Sequence, residues 1–292
     1  MRVGAVIIAC AIACAGGADA KPTPPPPPPG AAVEQLVRDF FGHTSEPAKL
    51  APLLRGDAIL VVDSTKAVNA TGDDAATFFG FFGVRRVGAV TVAVDDHRRA
   101  WFQAAIDAGS FDQTGDACEY NHHCGSMPLA LRASGVALQG SGADAGWRIA
   151  VVIVTVTVPD TDLLAAAQPG GPPAKPAIDG DAELAGAVAS WLASGKLAGG
   201  AAATATTIAS GTAPDEHATG AATPALVARW DKLHLVAAAV EAKLVGDGTL
   251  GLAIVDVRWP YDRSRVVTMR LAVVATRDGD AWRWNVLDFS GR

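Results

Sequence analysis

Residues 129–149, LALRASGVALQGSGADAGWRI, and residues 267–284, VTMRLAVVATRDGDAWRW, read as one hairpin written twice. Each opens with a long apolar-rich run that carries an arginine, passes through glycine and aspartate, and restarts on a tryptophan. Superposing them sets Arg132 against Arg270 and Trp147 against Trp282. Long Val-rich runs bounded by turn residues are the pattern of antiparallel strands. Their recurrence at this distance points to duplication of a whole folding unit.

The flanking sequence repeats in the same order. In the first block AAVEQLVRDFFGH places Val33, Leu36, Val37, Phe40 and Phe41 on one helical stripe. A short second helix (EPAKLAPLLRG), a strand (AILVVDS), a turn (TGDD) and a third helix (DAATFFGFFG) lead into four long strands. The second block offers AELAGAVASWLASGKL, ATATTIASG and TPALVARWDKL, then four long strands again, with Pro224 suited to a first helical turn. One strand before the repeated hairpin, AAIDAG lies over AIVDVR and sets Asp107 against Asp256. The expected class is α+β, with two tandem domains, each of about three helices packed on a curved antiparallel sheet.

The ends and breaks of the chain complete the plan. MRVGAVIIACAIACAGGADA has the charged, apolar and Ala-x-Ala order of a secretory leader, so residues 1–20 are expected to be removed. Lipid attachment at Cys14 is the alternative processing route. KPTPPPPPPG favours a stiff polyproline spacer, giving a linker at 21–31. A Pro/Gly-rich stretch at 159–180 separates domains at 32–158 and 181–292. No later segment is apolar for the roughly 20 residues of a membrane-spanning helix. Of 292 residues half are apolar, 18% are charged, and the formal net charge is -6. That balance, without Lys/Arg runs, argues against a nucleic-acid partner.

Three helices interleaved with long strands, the last opening on a Gly/Asp turn and a tryptophan, resembles the nuclear-transport-factor-two-like or SnoaL-like cone. The resemblance covers residues 32–158 and again 181–290. It implies a sheet wrapped around helices with a pocket at the open end, in a family of isomerases, cyclases, dehydratases, ligand binders and proteins that only associate. Such domains often dimerise through their sheets, so a tandem pair is expected to allow that pairing within one chain. The isomerases combine a carboxylate base with an oxyanion hole made by a tyrosine and a protonated carboxylic acid. Here the two tyrosines, Tyr120 and Tyr261, fall in predicted loops, which argues against carrying that chemistry over.

Asp107 and Asp256 remain the candidates for general acid or base in a cyclase-like reaction, against a plain reading as solvated residues or partners of Arg132 or Arg270. Alternation puts Asp256 on the face of Leu252 and Ile254. Trp282, Trp284 and His234 are the candidates for ligand contact, against core packing for the tryptophans and a helix-end or surface role for the histidine. His97, in VDDHRR, reads as part of a solvated hairpin.

CEYNHHC, residues 118–124, belongs to the first block alone; PYDRS stands at the matching place in the second. Cys118 and Cys124 are expected to form a disulfide, as an even pair in an exported protein. His122 and His123 are the candidates for a metal or redox module there, but adjacent histidines point apart and the usual C-x2-C spacing is missing. No cofactor is expected. The first expectation is a non-catalytic envelope protein that binds a small ligand or a protein. The second is a SnoaL-like lyase, isomerase or cyclase, and the third is the metal or redox module.

Overall fold

The computed structural model describes residues 28–62, 68–69, 72–79, 82–95, 97–110, 127–142, 145–155, 175–200, 209–210, 222–228, 231, 235–260 and 266–291. The first unit begins with α1 (Pro29–Gly42), whose whole predicted stripe is buried. Helix α1 starts inside the stretch expected to be linker. A proline in the first turn lacks only a donor that has no intrahelical acceptor, so Pro29 can open the helix. Then follow α2 (Pro47–Leu50) with a 3-10 turn (Ala51–Leu53), β1 (Leu54–Val62), β2 (Val68–Asn69) and α3 (Gly72–Phe79). The four long strands are β3 (Phe82–Val94), β4 (Arg99–Ser110), β5 (Met127–Gln139) and β6 (Trp147–Thr155).

The second unit begins earlier than the expected linker boundary, because Ala177–Gly180 is a strand, β7, added in parallel to the edge of the second sheet. It continues with α4 (Ala182–Ala193), a 3-10 turn (Leu197–Gly200), β8 (Ala209–Ser210) and α5 (Thr223–Ala228). Strands β9 (Val236–Val245), β10 (Leu250–Pro260), β11 (Val266–Asp278) and β12 (Ala281–Gly291) complete it. Asp181 caps α4, its side chain accepting from Leu184 N–H at 2.8 Å. No helix among the described residues is long and apolar enough to cross a membrane.

The two sheets run β2-β1-β6-β5-β4-β3 and β7-β9-β10-β11-β12-β8. In both, four consecutive strands form an antiparallel meander, and the early strand, β1 or β8, joins the last long strand in parallel. The antiparallel expectation therefore holds for the meanders and for β2 on β1, and not where β1, β7 and β8 join the meanders. The repeat extends to irregularities. Hairpins β5–β6 and β11–β12 each carry a bulge, between Val136 and Ala137 and between Val274 and Ala275, equally far past Arg132 and Arg270. Bulges bend strands and strengthen their twist, so their repetition gives both sheets the same local bend.

The registers correct one pairing. Asp256 lies opposite Arg270, but Arg132 lies opposite Ala105, so the counterpart of Asp256 is Ala105 and not Asp107. A slip of two residues leaves every side chain on its original face, so alternation alone does not detect it. The same registers show a compensated exchange of volume. Phe102 faces Gly135 in the first sheet, while Ala253 faces Val273 in the second. A Cβ on Gly135 would lie 2.0 Å from the Val151 carbonyl oxygen and 2.7 Å from the Phe102 ring, so the neighbouring backbone first and the ring second require glycine there.

Three apolar layers hold the molecule together. In the first, Phe40, Phe41 and Phe79 meet edge to face beneath α1 and α3, with centroids 5.0–6.2 Å apart. The second lies under α4 and contains Trp191 and Trp284. The third contains no helix residue: Ile59, Val61, Trp101, Val136, Val151 and Ile153 of the first sheet pack on Val245, Leu250, Leu252, Ile254, Ala272 and Val274 of the second. The order through the molecule is therefore helices, sheet, sheet, helices. Strands buried on both faces read as unbroken apolar runs, which accounts for IAVVIVT at 149–155.

Candidate functional site

Asp107 points away from the helices, on the β4 face that also bears Trp101. It pairs with Arg86 across the β3–β4 ladder at 2.7 Å, with just over half of its side chain exposed. Arg86, rather than Arg132 or Arg270, is therefore its partner. Asp256 also points away from the helices. Arg270 Nε donates to it at 2.9 Å, and both side chains are mostly covered. The pair lies in a cleft of about 260 Å³ with Asp179, Glu241 and the exposed Ile178. Neither carboxylate faces the space between helices and sheet, and each already has a guanidinium to neutralise it.

Trp284 is buried and lies against Trp191, with centroids 4.9 Å apart. Trp282 shares the helix-facing side of β12 and is half-buried. Its Nε1 is enclosed and makes no hydrogen bond among the described residues. The Arg277 guanidinium sits 5.8 Å from the Trp282 ring centroid, within cation–π range. His234, Tyr120, Tyr261, Cys118, Cys124, His122, His123 and Cys14 lie outside the described residues. Among the described residues, no group of three or more His, Cys, Asp and Glu is placed to hold a metal ion.

A larger cleft, of about 450 Å³, opens where the units meet. Arg55, His97, Arg98, Arg99, Leu138 and Gln139 line it from the first unit; Gly246, Asp247, Thr249, Leu250 and Arg277 line it from the second. The β9–β10 turn forms one lip. Gly246, at φ 69, supplies the left-handed residue this turn needs, and its N–H donates to Asp57 Oδ2 of the first unit at 2.7 Å. Asp57 also accepts from Arg55 Nε at 2.8 Å. Burial raises the Asp57 carboxyl, but the Arg55 and Gly246 hydrogen bonds outweigh it and hold Asp57 below the usual carboxylate range. Asp247 is also held low, first by the Thr249 side chain and then by the Thr249 N–H; the Arg55 charge across the seam adds to this.

The opposite lip is the β3–β4 turn. Asp95 organises it, accepting from His97 N–H at 2.9 Å, Arg99 N–H at 3.0 Å and Arg99 Nε at 2.6 Å. Arg98 follows at φ 61, a conformation that glycine usually supplies in a three-residue hairpin loop. Its side chain donates to Gln139 Oε1 at 3.3 Å and to the Gly140 carbonyl. The run His97-Arg98-Arg99 reads as a solvated turn in sequence, and His97 is indeed exposed. Its place in a cleft depends on a turn some 150 residues away, so no local pattern could have shown it.

No family model and no curated protein matches the chain. Solved structures similar to part of it include an NTF2-like protein from Cytophaga hutchinsonii, 13% identical over 43% of this chain and 96% of its own, with a TM-score of 0.33. A ketosteroid isomerase-like protein from Erwinia carotovora atroseptica is 15% identical over 44% and 93%, with a TM-score of 0.32. An NTF2-like protein of unknown function in nutrient uptake from Rhodospirillum rubrum is 16% identical over 44% and 98%, with a TM-score of 0.33.

Proposed function

We propose that this chain is an exported, non-catalytic binding protein in which two cone-type repeats pair through their sheets and take a ligand at the seam. The observation that carries the reading is the 450 Å³ cleft, whose walls come from both units. Its size is within the range of small-molecule sites, about 300–1,000 Å³. The carboxylate candidates support a non-catalytic role, because each is already engaged by an arginine across its ladder, Asp107 by Arg86 and Asp256 by Arg270. Both also point away from the helix-facing interiors, where the family resemblance would put a reaction. The secretory leader supports export, with processing before Lys21 and lipid attachment at Cys14 as the alternative.

The test is native mass spectrometry of the chain isolated from an exported fraction, with the N-terminus sequenced. The reading expects a monomer beginning at Lys21 and carrying a small molecule that is recovered unchanged after prolonged incubation. Conversion of that molecule to a product, abolished by Asp256→Asn, would support the lyase or isomerase alternative and end the non-catalytic reading.

A further inference from the structure

We infer that the seam cleft binds a small multivalent oxyanion, a molecule bearing carboxylate or phosphate groups. The inference rests on the binding reading above and adds the chemical class of the ligand. Among the described residues of the wall, four arginines, Arg55, Arg98, Arg99 and Arg277, face one carboxylate, Asp247. That carboxylate is engaged within its own turn, accepting from Thr249 N–H at 3.0 Å and Thr249 Oγ1 at 2.6 Å. The acids paired with three of the arginines, Asp57, Asp95 and Glu183, are not among the wall residues described.

Each guanidinium has five N–H donors in a planar fork, more than one carboxylate occupies, so a paired arginine keeps donors for a second oxyanion. Arg98 goes further. Its side chain donates to two neutral oxygens, and no carboxylate among the described residues pairs with it. These bonds fix the β3–β4 turn to the end of β5, which holds the guanidinium in place. Arg277, from the second unit, is fixed within that unit by Glu183 at 2.9 Å and by the Trp282 ring, which makes Trp282 a positioning residue. Leu138 and Leu250 add apolar wall beside His97, Gln139, Gly246 and Thr249, and low-dielectric walls strengthen the field of the charges between them. In a chain of net charge -6 the wall gathers four arginines, of which three are balanced by paired acids. Because the cations come from both units, a ligand with more than one anionic group can engage both at once.

The experiment is calorimetric titration of the full chain with citrate, pyrophosphate and, as a neutral control, glucose. The inference expects one-site saturation by citrate, by pyrophosphate or by both, weakening as salt is added, and none by glucose. Saturation by citrate alone identifies carboxylates and by pyrophosphate alone phosphates; either supports the inference. Arg98→Gly should lower affinity by about tenfold or more. Glycine suits φ 61, so this variant should melt no lower than the parent, separating lost binding from lost folding. Arg277→Ala should also weaken binding, while Arg86→Ala, outside the cleft, should not. The inference is overturned if neither anion saturates below about 10 mM, or if Arg98→Gly and Arg277→Ala bind as the parent does. Failed titrations with a recovered neutral ligand overturn the anion class and leave the binding reading standing. Turnover of a recovered ligand overturns that reading but not an arginine-dependent anion site.

Discussion

Asp107 and Asp256 look alike in sequence and differ in what holds them. Asp107 and Arg86 are both more than half exposed, so the pair contributes little, and Asp107→Asn should change stability by less than about 0.5 kcal/mol in urea unfolding. Asp256 and Arg270 are about four-fifths covered. Asp256→Asn removes the charge that Arg270 faces and should cost about 1–2 kcal/mol in the same measurement. An equal effect for the two would show that burial does not set these energies. At Trp284, buried against Trp191, truncation to alanine should cost about 3–5 kcal/mol. The sequence could expose aspartate and tryptophan as unusual among aliphatic neighbours. It could not show that Asp107 has Arg86 as its partner, because that pairing depends on the bulged register of β3 against β4.

At the scale of elements, helix stripes, strand order and the repeated hairpin were legible because each is a short-range periodicity. Strands β2 and β7 are two and four residues long, too short to show a period; β8 lies within ATATTIASG, which reads as a strand, but its parallel pairing, like that of β7, has no local signature. The exchange of Phe102 and Gly135 for Ala253 and Val273 becomes visible only once registers are known. It makes a sharp prediction. Gly135→Val should be strongly destabilising, because its Cβ meets a backbone oxygen that a rotamer change cannot move. Combined with Phe102→Ala, which reproduces the pair found in the second repeat, it should recover part of that loss. A double-mutant cycle in thermal unfolding measures the coupling, expected at about 1–3 kcal/mol. Strict additivity would deny that the two positions compensate each other.

For the whole molecule, sheet-to-sheet packing turns two repeats into one body and brings the arginines of distant turns to one opening. Neither alternation nor composition could place that opening, since its first wall ends at Gln139 and its second begins only at Gly246. Asp57 links the units through Gly246, and its carboxyl is held below its ordinary value. A carboxylate depressed by folding adds stability that is complete above its unfolded pKa, about 4, and is lost as pH falls through the lower folded value. Melting temperature should therefore fall below about pH 4, and less steeply in Asp57→Asn, which has no such charge to lose. The apolar layer between the sheets couples the units. Hydrogen exchange of Leu252→Lys, a charge placed in that layer from the second unit, tests it most directly. The expected result is faster exchange in β1 and β6 of the first unit as well as in β10. Acceleration confined to the second unit, with Ile59–Val61 and Val151–Ile153 protected as before, would contradict it.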